Sequence, residues 1–183
     1  MPASAFYDVG TLEKVAINLF YGWGYNFYRQ ENQLRADDQV IRSKVGALLG
    51  SARKSVETAE HDYRREFLPP PSREKPRPDA RAVANAQAIE RLSKAIGAIH
   101  GIITAQPVPE NDRITQRYRQ EASTLQDLMA SDQKLVGQVE LLRSMLDQKN
   151  GAWLIENMSA LQEGITAISE TLRTRQLLLF PVS

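Results

Sequence analysis

The stretch FYGWGYNFYR, Phe20 to Arg29, carries six of the chain's thirteen aromatic residues and two of its ten glycines. Its reading decides the fold. Taken in twos, Tyr21, Trp23, Tyr25 and Phe27 share one side, as in a half-buried strand. Taken at the helical angle of about 100° per residue, Leu12, Val15, Ala16, Leu19, Phe20, Trp23 and Phe27 fall within one arc. Ile17, Tyr21, Tyr25 and Tyr28 then fall on nearly the opposite one. The flanks TLEKVAINL and RQENQLR have helical character, and no other segment offers a strand to pair with one here. The spacing therefore predicts a helix from Thr11 to Gln33, weakened by Gly22 and Gly24 at about 1 kcal/mol each.

Such a helix has two apolar faces. The face centred on Trp23 suits a bundle core. The stripe Ile17, Tyr21, Tyr25 and Tyr28 needs a second neighbour, either another helix of the same bundle or a partner molecule. Tyrosine supplies large contact area at low entropy cost and is enriched at interface hot spots, so these four residues are the candidate partner-binding surface.

Working outward, the next helix opens at the Asp37, Asp38 pair, with acid in its first turn. Ile41, Val45, Leu48, Ala52, Val56, Ala59, Tyr63 and Phe67 recur at spacings of four and three along it. PPPSREKPRP, Pro69 to Pro78, then blocks helix and sheet bonding and reads as a linker of extended geometry. Asp79 caps a third helix with the inward stripe Ala82, Ala86, Ile89, Leu92, Ile96, Ile99 and Ile103, stopped by Pro107 and Pro109.

A fourth helix is expected from Asn111 or Asp112, through Ile114, Tyr118, Ala122, Leu125, Leu128, Leu135, Val139, Leu142 and Leu146. Asp132 falls on that stripe. An unpaired buried carboxylate is costly, so Ser131 to Gln133 are expected to form a local irregularity. DQKNG, Asp147 to Gly151, turns the chain into a last helix with Leu154, Met158, Leu161, Ile165, Ile168 and Leu172 at strict four-three spacing. Glu156, Glu163 and Glu170 repeat on one flank of it, as solvated or helix-paired carboxylates. The expected fold is all-α: one domain spanning residues 1–183, an up-and-down bundle of about five helices whose last two form a long coiled-coil-like hairpin.

Length and composition set the functional limits. A chain of 183 residues with 42% hydrophobic content suits one domain with its own core. Its 23 basic and 22 acidic residues balance, so no global field draws in nucleic acid, which is disfavoured as a partner. The absence of cysteine excludes disulfides, thiolate metal sites and cysteine nucleophiles. No uncharged run reaches the roughly 18 apolar residues of a membrane helix, and the N-terminus lacks the pattern of a secretory signal. A cytoplasmic location is expected.

Catalytic signatures are missing from the pattern. There is no phosphate loop, dinucleotide fingerprint, nucleophile elbow or zinc motif. His61 sits among Glu57, Glu60 and Asp62, but the Glu-x-x-His pairs of carboxylate-bridged di-iron bundles are not present, so no metal is expected. His100, between Gly97 and Gly101, could face a cleft opened by those glycines, and with Trp23 it marks a candidate ligand pocket. The leading expectation is a non-enzymatic interaction protein without cofactor, binding another protein or a second copy of itself. The alternative is a small-molecule-binding bundle using the His100 pocket.

Overall fold

The computed structural model describes residues 3–26, 34–73, 77–107 and 122–179. They form six α-helices after a short 3-10 helix, Ala3–Tyr7: α1 Val9–Trp23, α2 Leu34–Phe67, α3 Ala80–Ala105, α4 Ala122–Leu146, α5 Gly151–Glu156 and α6 Met158–Leu179. Among the described residues there is no strand. The fold is an all-α bundle.

In the opening stretch the helix ends at Trp23, and the described residues Tyr25 and Asn26 lie beyond it. Gly24 takes φ 67°, the left-handed conformation, and its N–H bonds the Tyr21 carbonyl at 3.1 Å, so α1 stops at Trp23 and not at Gln33. Glycine pays little for that conformation, and the cap ends the helix where propensity alone would only weaken it. At the other end, the Asp8 carboxylate caps α1, accepting from the Thr11 hydroxyl at 2.7 Å and the Thr11 N–H at 3.4 Å. Those two bonds hold its carboxyl below the usual range.

The long helices follow the predicted stripes with local differences. In α2 the residues Ile41, Val45, Ala52, Val56, Ala59 and Tyr63 are buried as expected, but Leu49 takes the deep position in place of Leu48, and Phe67 is exposed. The helix also begins before the Asp37, Asp38 pair, which is buried inside it. Every residue of the α3 stripe is buried, and the Asp79 side chain caps it by accepting from the N–H groups of Arg81 and Ala82 at 3.2 Å each. The start of the fourth helix expected at Asn111 lies outside the described residues. Where α4 is described it runs unbroken through Ser131 to Gln133, so the expected irregularity is absent and Asp132 is buried in a regular helix.

The last helix is divided. Asn157 donates from its side-chain amide to the Trp153 carbonyl at 2.9 Å, and the residue adopts φ −105°, ψ 11° between α5 and α6. The Asn157 N–H also bonds the Trp153 carbonyl at 3.0 Å and the Leu161 N–H bonds the Asn157 carbonyl at 3.1 Å, so hydrogen bonding continues across the division. Among the described residues six helices stand where five were expected, because the last is divided at Asn157.

In the packing, α2 lies between α3 and α4, α4 also carries α1 and α6, and the 3-10 helix rests on α6. One apolar cluster runs through the interior, drawing on Phe6, Ala16 of α1, Val45 and Leu49 of α2, Ile96 of α3, Val139 of α4, Leu154 of α5 and Ile168 of α6. No helix among the described residues is long and apolar enough to cross a membrane.

Candidate functional site

On α1, Leu12 and Ala16 point inward and are buried, which turns the opposite side of the helix outward. Ile17 and Tyr21, four residues apart, lie 47% and 89% exposed on that side, while Val9, 60% exposed, stands at the start of the helix on the side of Leu12 and Ala16. Leu19, Phe20 and Trp23 lie half-buried against the core, and the Lys44 ammonium of α2 stands 5.4 Å over the Trp23 ring. Tyr25, past the Gly24 cap, is half-buried; burial first, then the Asp37 carboxylate beside it, push its phenol above the ordinary value. Of the four residues expected to form one stripe, Ile17 and Tyr21 share an exposed face, Tyr25 engages Asp37, and Tyr28 lies outside the described residues.

Of the residues expected to line a pocket, Gly97, His100 and Gly101 lie close together on α3, and Trp23 lies at the end of α1. His100 is half-buried, with Nε2 3.4 Å from where a side chain on Gly46 would begin, so Gly46 leaves it room against α2. Gly97 accommodates the Arg53 guanidinium, which would lie 3.2 Å from an added Cβ, while Gly101 faces open space. Trp23 belongs to the α1 end near Lys44. His61 is exposed on a stretch of α2 where Arg64 pairs with Glu60 at 2.6 Å and Arg65 with Asp62 at 3.0 Å. A shallow polar cleft of about 430 Å³ lies elsewhere, between Ser51, Ser55 and Thr58 of α2 and the Asp147 to Asn150 turn.

Two arrangements were not anticipated. The first is a buried ionic clasp. Arg175 of α6 is 0% exposed; its Nε donates to Asp132 at 2.5 Å and its Nη2 to Asp38 of α2 at 2.7 Å. Arg42 Nε lies 3.1 Å from the second oxygen of Asp38, and its Nη1 donates to the Gln106 carbonyl at the end of α3. Burial alone would drive Arg175 toward the neutral form, but the charges and hydrogen bonds of Asp132 and Asp38 outweigh it and raise its pKa. A signal was present: Arg175 lies three residues past Leu172, on the same four-three stripe, as Asp132 lies on that of α4. Two opposite charges on facing apolar stripes imply each other.

The second is the seat of the N-terminus. Phe6 is fully buried against Gly164 of α6, where an added Cβ would come within 2.5 Å of its ring. Gln138 of α4, also fully buried, donates from Nε2 to the Phe6 carbonyl at 3.0 Å. The Tyr7 hydroxyl donates to Glu163 Oε1 at 2.7 Å, so one of the three heptad-spaced glutamates pairs with the N-terminal segment. Farther along, Gly137 lets the Leu12 backbone press directly on α4, with the Leu12 carbonyl oxygen and an added Cβ in severe overlap.

Among the described residues no cluster of three histidine, aspartate or glutamate side chains is arranged to hold a metal ion. Comparison of the chain with protein-family models, with characterised proteins and with solved structures finds no match.

Proposed function

We propose that the protein is a non-enzymatic protein–protein interaction module, of the adaptor, chaperone-like or accessory-subunit kind, which binds another protein or a second copy of itself through the outer face of α1. The observation that carries this reading is the outward pair Ile17 and Tyr21, with Tyr21 89% exposed on a helix whose other side is already seated in the core. Burying an apolar side chain of this size contributes about 1.5–3 kcal/mol, which is the range of an interface hot spot. The outer face can be covered without repacking the bundle, because the inner face of α1 is held by Leu12 and Ala16.

A photo-crosslinking phenylalanine analogue in place of Tyr21, in the cell that makes the protein, tests it. The expected result is one discrete adduct, absent when the analogue replaces exposed Lys54 and lost with Ile17→Asp while circular dichroism and melting temperature stay unchanged. Adducts at position 21 no more discrete than at position 54 overturn the reading.

A further inference from the structure

We propose that the occupant of the outer face of α1 is a second copy of the chain, its α1 lying antiparallel across the first so that Tyr21 of each covers Gly10 of the other. This names the partner for the surface proposed above, and it rests on that surface being one that binds.

The face carries its own complement. Gly10, Lys14, Ile17 and Tyr21 recur at spacings of four, three and four, the seam pattern of paired helices, and all four are exposed. Glycine within a helix costs about 1 kcal/mol relative to alanine. Nothing in the chain's own fold calls for one at position 10. Gly10 does not take a positive φ, and an added Cβ there would meet only Asp8 Oδ1, at the ordinary contact distance of 3.8 Å. Gly10 is therefore a gap in the outer surface of α1, and Tyr21, 89% exposed, is a projection from it. They stand eleven residues apart. At about 1.5 Å per residue that is roughly 16 Å along the helix, so one chain's ring does not reach its own gap.

Charge and size select the direction. In a parallel pair each seam residue meets its own copy, which brings Lys14 against Lys14 and leaves Gly10 over Gly10. In an antiparallel pair the layers are Gly10 with Tyr21 and Lys14 with Ile17, each occurring twice about a twofold axis. Every layer then joins unlike residues that fit. The Tyr21 ring covers the bare backbone at Gly10, and the Lys14 stem lies along Ile17 with its ammonium left in water. A twofold contact uses the same patch on both chains, so association closes at two copies. Four layers between two helices of 15 residues make a small interface, and the pairing is reversible.

The chain contains no cysteine, so introduced thiols report position without interference. Full-length Gly10→Cys and Tyr21→Cys proteins are oxidised separately and as an equal mixture, at the same total concentration. In the antiparallel pair like positions lie roughly 16 Å apart, beyond the roughly 7 Å between Cα atoms that a disulfide spans, whereas positions 10 and 21 of opposite chains meet. The mixed pair also keeps one intact layer of Tyr21 on Gly10. The mixture is expected to form covalent dimer about tenfold or more faster than either protein alone. Adding Ile17→Asp to both is expected to remove that difference while the melting temperature stays unchanged. Equal rates in the mixture and in the separate proteins, or no covalent dimer in the mixture, overturn the proposal. If position 21 still gives a discrete photo-adduct with a different protein, only the second copy is overturned as occupant and the outer face stays a binding surface; failure of both experiments overturns both.

Discussion

Glycines that look alike in the sequence have opposite meanings in the fold. Gly50 lies within α2 with nothing within 4 Å of where a Cβ would stand. There the missing side chain costs only helix propensity and chain entropy. Gly137 lies within α4 with the Leu12 backbone against it, and backbone cannot move aside as a side-chain tip can. Gly50→Ala is expected to raise stability by about 0.5–1 kcal/mol. Gly137→Ala is expected to lower it by about 1–3 kcal/mol through overpacking, with α1 displaced. Urea unfolding of the two variants checks both signs, and Gly137→Ala stabilising the protein would contradict the close approach of α1 to α4.

At the scale of elements, the N-terminal 3-10 helix is tied to α6 by a bond that pH can break. The hydrogen bond to Glu163, then burial, then the charges of Glu163 and Glu170, push the Tyr7 phenol up from its ordinary 10.0 to about 12. A folded-state value above the unfolded one means that the folded chain holds the proton more tightly. The contribution is therefore present in full below pH 10 and is lost as pH rises through 12. It is modest, because Tyr7 is 41% exposed and solvent screens the pair. Between pH 10 and 12 the stability difference between wild type and Tyr7→Phe is expected to shrink to nothing, and the ultraviolet tyrosine titration is expected to lose its late component in Tyr7→Phe. A titration curve unchanged in shape by Tyr7→Phe would deny the bond.

At the scale of the whole molecule, Arg175 joins α2, α4 and α6 in the interior, and Arg42 extends the link to the end of α3. Desolvating these charges costs much of what their attraction returns, so the clasp does more for the register of the helices than for net stability. Removing one partner exposes that cost. Asp132→Ala is expected to destabilise by about 3–5 kcal/mol, whereas the triple exchange Asp38→Leu, Asp132→Leu, Arg175→Met is expected to recover most of it. Chemical denaturation of the single and triple variants is the check, and a triple variant as unstable as Asp132→Ala would show that the clasp stabilises outright.

The sequence by itself determined the class of fold and most of the core. Apolar residues at spacings of three and four have one physical solution, a helix with a buried stripe, and Ala82 to Ile103 in α3 and Val45 to Tyr63 in α2 follow it. That Ile17 and Tyr21 lie opposite the inward residues of α1 was legible for the same reason, but whether another helix of the bundle covers them was not. Helix ends and polar interiors were not. Gly24 ends α1 by a left-handed cap, where the aromatic pattern continues to Tyr28. Asp132 reads as a defect in α4 until Arg175, 43 residues away, is seen to meet it. Phe6 lies in no helical stripe, and only the bundle brings Gly164 and Gln138 around it. Periodicity reports what each helix does with water, residue by residue. Which charges neutralise each other, and which glycine receives which ring, depends on distances between helices, and these exist only once the bundle has closed.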